Sequence, residues 1–175
     1  MTPISLSNQD LSTLHFVGLV ADLLLKKGFK LVTAESCTGG GVAAACTDLA
    51  GSSDWFERGF VTYSNAAKTE LLGVDAALID AHGAVSEAVA LSMAQGALAH
   101  SHAQVALAVT GVAGPGGGSP QKPVGTVWFA WCAPGQVHSQ KMHFAGDRAA
   151  VRRAAVTHAL QRLHELLRSD CDDLV

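Results

Sequence analysis

The sequence is poor in the features that mark several large functional classes. Only 15% of its 175 residues are charged, and the formal net charge is -3. A broad cationic surface for a nucleic-acid backbone is therefore not expected. No apolar run is long enough to span a bilayer. Met1 to Asn8 lack a basic stretch followed by a long apolar one, so neither a membrane partner nor export is expected, and the chain reads as cytoplasmic. The cysteines Cys37, Cys46, Cys132 and Cys171 form no CxxC pair and no dense disulfide framework, which fits a reducing compartment. Cys46 and Cys132, set among Ala, Val and Trp, read as small core hydrophobes. The eight histidines contain no HExxH spacing, so no metal is expected. Walker A and GxGxxG sequences are missing as well.

What is present is hydrophobic residue, 49% of the chain, and glycine, 18 positions. That length and composition bury one core but not two, which predicts a single domain over residues 11–168, a flexible extension over 1–10 and an acidic tail over 169–175. Ser7 and Asp10 can cap a helix whose apolar face carries Leu11, Leu14, Val17, Ala21, Leu24 and Leu25 and which Gly28 ends. Lys30 to Ala34 reads as a strand, Thr38 to Leu49 as a tightly packed helix, Glu57 to Tyr63 as a strand, and Asn65 to Leu72 as a helix closed by Gly73. Ser86 caps the next helix, in which Val89, Met93 and Ala97 recur at a spacing of four. Val105 to Thr110 is an apolar strand, followed by a loop from Gly111 to Pro120. Val124 to Cys132 and Val137 to Phe144 form a hairpin about Pro134-Gly135, and a last helix begins after Asp147. Its buried face is expected to carry Val151, Ala155, His158, Ala159, Leu163 and Leu166, and the residues from Asp170 on to fray. Early strand-helix alternation and a late hairpin imply an α/β fold, a mixed, mostly parallel sheet with helices on both faces.

The chemistry concentrates where a strand runs into Ser36-Cys37-Thr38-Gly39-Gly40-Gly41. A serine at that corner sits at a sheet's carboxyl edge beside unpaired backbone N–H groups, and these can hold an oxyanion. The competing reading makes Ser36 or Thr38 a helix N-cap, with the glycines packed on the sheet. A serine nucleophile needs a base, and the scattered histidines offer none. Lys68 serves if burial keeps it neutral, and with Tyr63 it reaches the Ser36 pocket provided the two strands are neighbours. The alternative is a solvated lysine and a half-buried tyrosine. Cys37, at a helix start, is a rival nucleophile. The Gly111 loop with Thr110 brings main-chain amides close to a ligand, and Arg148 at a helix start suits one phosphate, with Arg152 one turn later on the same face.

In sequence order, Thr33-Ala34-Glu35-Ser36-Cys37-Thr38-Gly39-Gly40, the run Gly51 to Asn65, Val85-Ser86-Glu87, Thr110 to Pro115, Lys122 to Val127 and Gly146-Asp147-Arg148 resemble the C-terminal domain of the competence-damage-inducible CinA family. The resemblance implies a three-layer α/β/α sandwich, hydrolysis of nicotinamide mononucleotide to nicotinic acid mononucleotide and ammonia, no cofactor, and homo-oligomers. It implies Ser36 as nucleophile with Tyr63 and Lys68 as activating partners. By the same resemblance Thr110, the Gly111 loop with Gly114, and Arg148 belong to the ligand site, and Cys37, Thr38, Gly39 and Gly40, at the turn after Ser36, are expected to line the substrate with them. A different class of reading is a non-catalytic domain that binds a pyridine nucleotide or a protein partner linked to competence or DNA damage.

Overall fold

Two strands buried on both faces set the layering, because such strands must be covered from both sides. The structure is a computed structural model and describes residues 8–172. The expected Ser7 cap lies outside them. Among these residues the order is α1 (Asn8–Lys27), β1 (Leu31–Glu35), α2 (Gly41–Thr47), a 3-10 turn at Ser52–Asp54, β2 (Phe56–Val61), α3 (Asn65–Leu72), α4 (Ala76–His82), α5 (Glu87–Ala99), β3 (Val105–Gly111), β4 (Thr126–Ala133), β5 (Gln136–His143) and α6 (Arg148–Asp172).

The strands form one sheet in the order β2-β1-β3-β4-β5. β1 pairs in parallel with β2 and β3, while β3–β4 and β4–β5 are antiparallel. Only β4 runs against the rest. Along β1 and β3 successive side chains enter opposite cores. Leu31, Val105, Leu107 and Val109 join Val17, Leu24, Leu160 and Leu163 beneath α1, α2 and α6. Val32, Ala34, Ala106 and Ala108 join Leu72, Val89, Met93 and Ala97 beneath α3, α4 and α5. The result is the expected three-layer sandwich.

Local chemistry fixes the helix ends. Ser64 accepts from Ala67 N and Gly73, left-handed at φ 66, closes α3. Asp75 accepts from Ala77 N at the start of α4, and Ser86 accepts from Val89 N at the start of α5. Gly96 is required by packing, since a Cβ there would stand 2.0 Å from the Leu72 carbonyl oxygen. Trp55 and Trp131 are core residues, and Phe56 and Trp128 are half-buried.

Several expectations need correction. Leu11 and Leu25 are exposed, and Val20 takes part in the buried face of α1 instead, because the helix dips toward the sheet through Val17, Val20, Ala21 and Leu24. α2 starts at Gly41, not Thr38. α1 already runs at Asn8 and α6 continues to Asp172, so the borders expected at residues 10 and 169 fall within helices. No proline or glycine interrupts α6 there, and Ser169 Oγ donates back to the Leu166 carbonyl at 2.9 Å. No helix among the described residues is long and apolar enough to cross a membrane.

Candidate active site

β1 delivers Ser36 to the carboxyl edge of the sheet and both neighbours clamp it there. Ser36 N donates to the Val109 carbonyl of β3 at 2.9 Å, and Thr62 N, past β2, donates to the Glu35 carbonyl at 2.8 Å. The chain then turns within six residues into α2, which requires left-handed backbone at Gly39 and Gly40, φ 61 and 93. Gly39 N donates to the Ser36 carbonyl at 3.0 Å and Gly41 N to the Thr38 carbonyl at 3.1 Å.

The start of α2 is held by Glu35, a residue with no assigned part in the sequence reading. Its carboxylate, 1% exposed, accepts from Gly40 N at 3.1 Å, Val42 N at 3.0 Å and Ala43 N at 2.8 Å. A buried carboxylate is costly unless hydrogen-bonded, and three N–H donors at the positive end of a helix offset that cost. Neither Ser36 nor Thr38 caps α2: Gly40 occupies the N-cap, and the buried Thr38 hydroxyl has no hydrogen-bond partner among the described residues. Glu35 also takes the helix N–H groups expected for an oxyanion. Between Ser36 and Gly41, the N–H groups of Cys37 and Thr38 are those with no carbonyl or carboxylate acceptor among the described residues.

From the other layer α3 brings Lys68 under the same corner. The lysine is 1% exposed, and its Nζ lies 3.1 Å from Ser36 Oγ and donates to the Thr62 carbonyl at 2.8 Å. No carboxylate pairs with it among the described residues. Burial accordingly pushes its pKa below the ordinary lysine value. Cys37, 5% exposed, is driven the opposite way, to about 11, chiefly by the same loss of solvent.

Tyr63 is 60% exposed at the rim, and its hydroxyl accepts from Arg148 Nη2 at 2.8 Å. Arg148 Nη1 donates to the Gly114 carbonyl at 2.8 Å, so one guanidinium ties the β2–α3 corner to the loop after β3. Thr110 Oγ1 donates to the Ala84 carbonyl at 2.9 Å. Ser36, Cys37, Tyr63, Lys68, Thr110, Gly111, Gly114 and Arg148 together line a cavity of about 270 Å³. Asn65, Ala84, Val85, Gly116 and Gly117 also line it. They come from the start of α3, the connection between α4 and α5, and the β3–β4 loop, positions that periodicity does not single out.

Thr38, Gly39 and Gly40 fall outside that cavity, because the left-handed turn carries them toward α2 on the other side of the sheet. Arg152 parts company with Arg148 in the same way and donates to the Thr38 carbonyl at 2.9 Å. The helix start at Arg148 is not open either, since Asp147 Oδ1 accepts from Ala150 N at 2.8 Å. Among the described residues no three His, Cys, Asp or Glu side chains gather as a metal site.

The sequence model of the CinA C-terminal domain matches residues 15–167. The chain belongs to the CinA C-terminal domain family. It is 54% identical over 145 residues to the protein of Escherichia coli K12 called nicotinamide-nucleotide amidohydrolase PncC, a match covering 82% of this chain and 88% of that one. Another protein of that name, from Pseudomonas putida, is 57% identical over 137 residues, 78% of this chain and 86% of its own. A crystal structure of a CinA superfamily protein from Klebsiella pneumoniae superposes with a TM-score of 0.86 at 43% identity, covering 90% of this chain and 98% of that one. One from Escherichia coli gives 0.87 at 39% identity, with 94% and 95% covered.

Proposed function

We propose that this chain hydrolyses the carboxamide of nicotinamide mononucleotide to nicotinic acid mononucleotide and ammonia, a step in pyridine-nucleotide recycling, with Ser36 as nucleophile. The observation that carries the reading is the 3.1 Å contact of Ser36 Oγ with a buried lysine that has no carboxylate partner among the described residues. The names of the relatives supply the substrate class.

A neutral lysine amine has one lone pair. With one N–H donated to the Thr62 carbonyl, that lone pair is available to the Ser36 hydroxyl. Lys68 takes the serine proton as Oγ bonds to the carboxamide carbon, and it returns the proton to the departing nitrogen as the C–N bond breaks. Water then cleaves the nicotinoyl ester, with Lys68 again the base, and restores the serine. The Cys37 and Thr38 N–H groups are the oxyanion donors in this scheme. A direct contact at 3.1 Å needs no relay through Tyr63, which with Arg148 acts on the substrate at the rim. Arg148 has further N–H donors beyond the two already engaged and meets the phosphate. The positive pyridinium ring disfavours protonation of Lys68 while substrate is bound.

The test is ammonia release from purified protein with nicotinamide mononucleotide, with nicotinamide and NAD as controls. Ser36→Ala is expected to reduce the rate by about 10⁴-fold or more. No ammonia from the wild-type chain would leave the non-catalytic reading standing.

A further inference from the structure

On the face of the sheet away from Lys68, α1, α2 and α6 enclose a larger cavity of about 440 Å³. Its α6 wall carries Arg152, half-buried, and Arg153, exposed, the carboxylates Asp10 on α1 and Asp48 at the end of α2 also line it, and Leu14, Ala45 and Val156 supply apolar surface. Neither arginine joins an ion pair among the described residues. Arg152 Nε is buried without a hydrogen-bond partner there. Two guanidinium groups without an ion pair among the described residues, on one wall, suit a phosphate, which a guanidinium can bind through two N–H groups. The apolar surface suits a flat ring, and Asp48 accepts from an amino group or a sugar hydroxyl while disfavouring a polyanion. The volume lies in the range that holds small molecules.

The cavity shares a wall with the candidate catalytic turn. Thr38, two residues after the nucleophile, lines it, and the Thr38 carbonyl accepts the Arg152 bond at 2.9 Å. The same guanidinium lies against Gly39, where a Cβ would stand 3.4 Å from Nη2. A phosphate seated on Arg152 competes with that carbonyl for the same donors.

We propose that this second cavity binds a nucleoside monophosphate, and that its occupancy reaches Ser36 through the Arg152–Thr38 contact. Binding stands apart from the amidase reading, whereas its effect on turnover rests on that reading.

The experiment uses the full chain with AMP, GMP, CMP and UMP, followed by calorimetry, thermal melting and ammonia release from nicotinamide mononucleotide. At least one of them is expected to bind saturably, raise the melting temperature and change kcat instead of merely raising KM. Arg153→Ala, remote from the nucleophile, should weaken binding roughly tenfold, the loss of one charge-assisted contact, with basal turnover kept. Ala45→Trp should fill the cavity and abolish binding, its fold checked by melting without ligand. Binding by none of the panel overturns the proposal, and so does binding that competes with substrate and ignores Arg153→Ala. Binding at the cavity with kcat unmoved overturns the link to Ser36. Binding in a protein that releases no ammonia sinks the amidase reading and leaves the site standing.

Discussion

At the carboxyl ends of β1 and β2 the interior holds Thr33, Glu35, Ser36, Thr62 and Lys68, whereas under β4 and β5 it holds Phe129 and Trp131. In the second region the rings pack well: Phe129 and Trp131 stack at 5.6 Å, and Phe144 and His158 meet Phe129 edge-on at 6.2 and 5.0 Å. Trp131 Nε1 donates to the Ala159 carbonyl at 3.1 Å, and on β4 and β5 Gln136 Nε2 is the one buried side-chain polar atom without a partner among the described residues. In the first region the hydroxyls of Thr33, Thr38 and Thr62 are buried without partners among the described residues, and a lysine is buried without a counter-charge. One sheet thus divides its labour. The antiparallel half is packed and nearly satisfied, and the parallel half leaves buried polar groups without partners among the described residues around Ser36, the proposed nucleophile.

Lys68→Met tests that division most severely. Turnover should fall by about 10³-fold or more, as for loss of a general base. Stability at neutral pH should rise by about 1–3 kcal/mol, because an uncompensated buried amine is replaced by an apolar side chain of similar length. Since the folded-state pKa of Lys68 is depressed, the unfolded chain binds the extra proton. The wild-type deficit is therefore full below the folded pKa and vanishes as pH rises toward the ordinary lysine value. Denaturant melts of both proteins across that range should converge at high pH, and wild-type turnover should climb with pH through the folded pKa. A variant that is less stable at every pH would end the comparison.

Trp131→Ala probes the other half. Its loss should cost about 3–5 kcal/mol through the cavity it leaves. The rate per folded molecule should stay unchanged, because the ring touches α6 and not the cavity at Ser36. Urea melts and initial rates below the transition check both parts.

Glu35→Gln has a smaller effect that crosses the two properties. A carboxamide must turn its NH₂ either on Ala43 N–H or on the pair Gly40 and Val42 N–H. The expected cost is about 1–3 kcal/mol from an unsatisfied buried donor. The turn that carries Ser36 loosens, so kcat should drop more than KM rises, since Thr110 to Gly117 still line the cavity. A change in KM alone would mean that Glu35 does not act through that turn.

What was legible from the sequence followed local physics. Ser86, Gly73 and Pro134-Gly135 announce a cap, a stop and a hairpin, and the apolar run at β3 announces a strand covered on both faces. α4, at 7 residues, is too short to show a period. Glu35 was missed because its partners are backbone N–H groups that point at it only after the chain has turned. Lys68 could be named but not placed by pattern, since the contact with Ser36 spans 32 residues and depends on β1 and β2 being parallel neighbours. The resemblance to a family, not periodicity, joined those two residues.

The smallest effect is expected from Cys37→Ser, although Cys37 adjoins Ser36, the proposed nucleophile, and lines the same cavity. A thiol at a helix start is activated when positive charge and open N–H groups lower its pKa. Here Glu35 has taken those N–H groups, and burial lifts the thiol to about 11. At neutral pH the thiolate is then on the order of one part in 10⁴, too little to compete with a serine in contact with a base. Cys37→Ser should keep turnover within about twofold, and iodoacetamide should inactivate the wild type slowly. Rapid inactivation that substrate protects against, together with a dead Cys37→Ser and an active Ser36→Ala, would transfer the nucleophile to sulfur and make the buried carboxylate, not the buried lysine, the neighbour to explain.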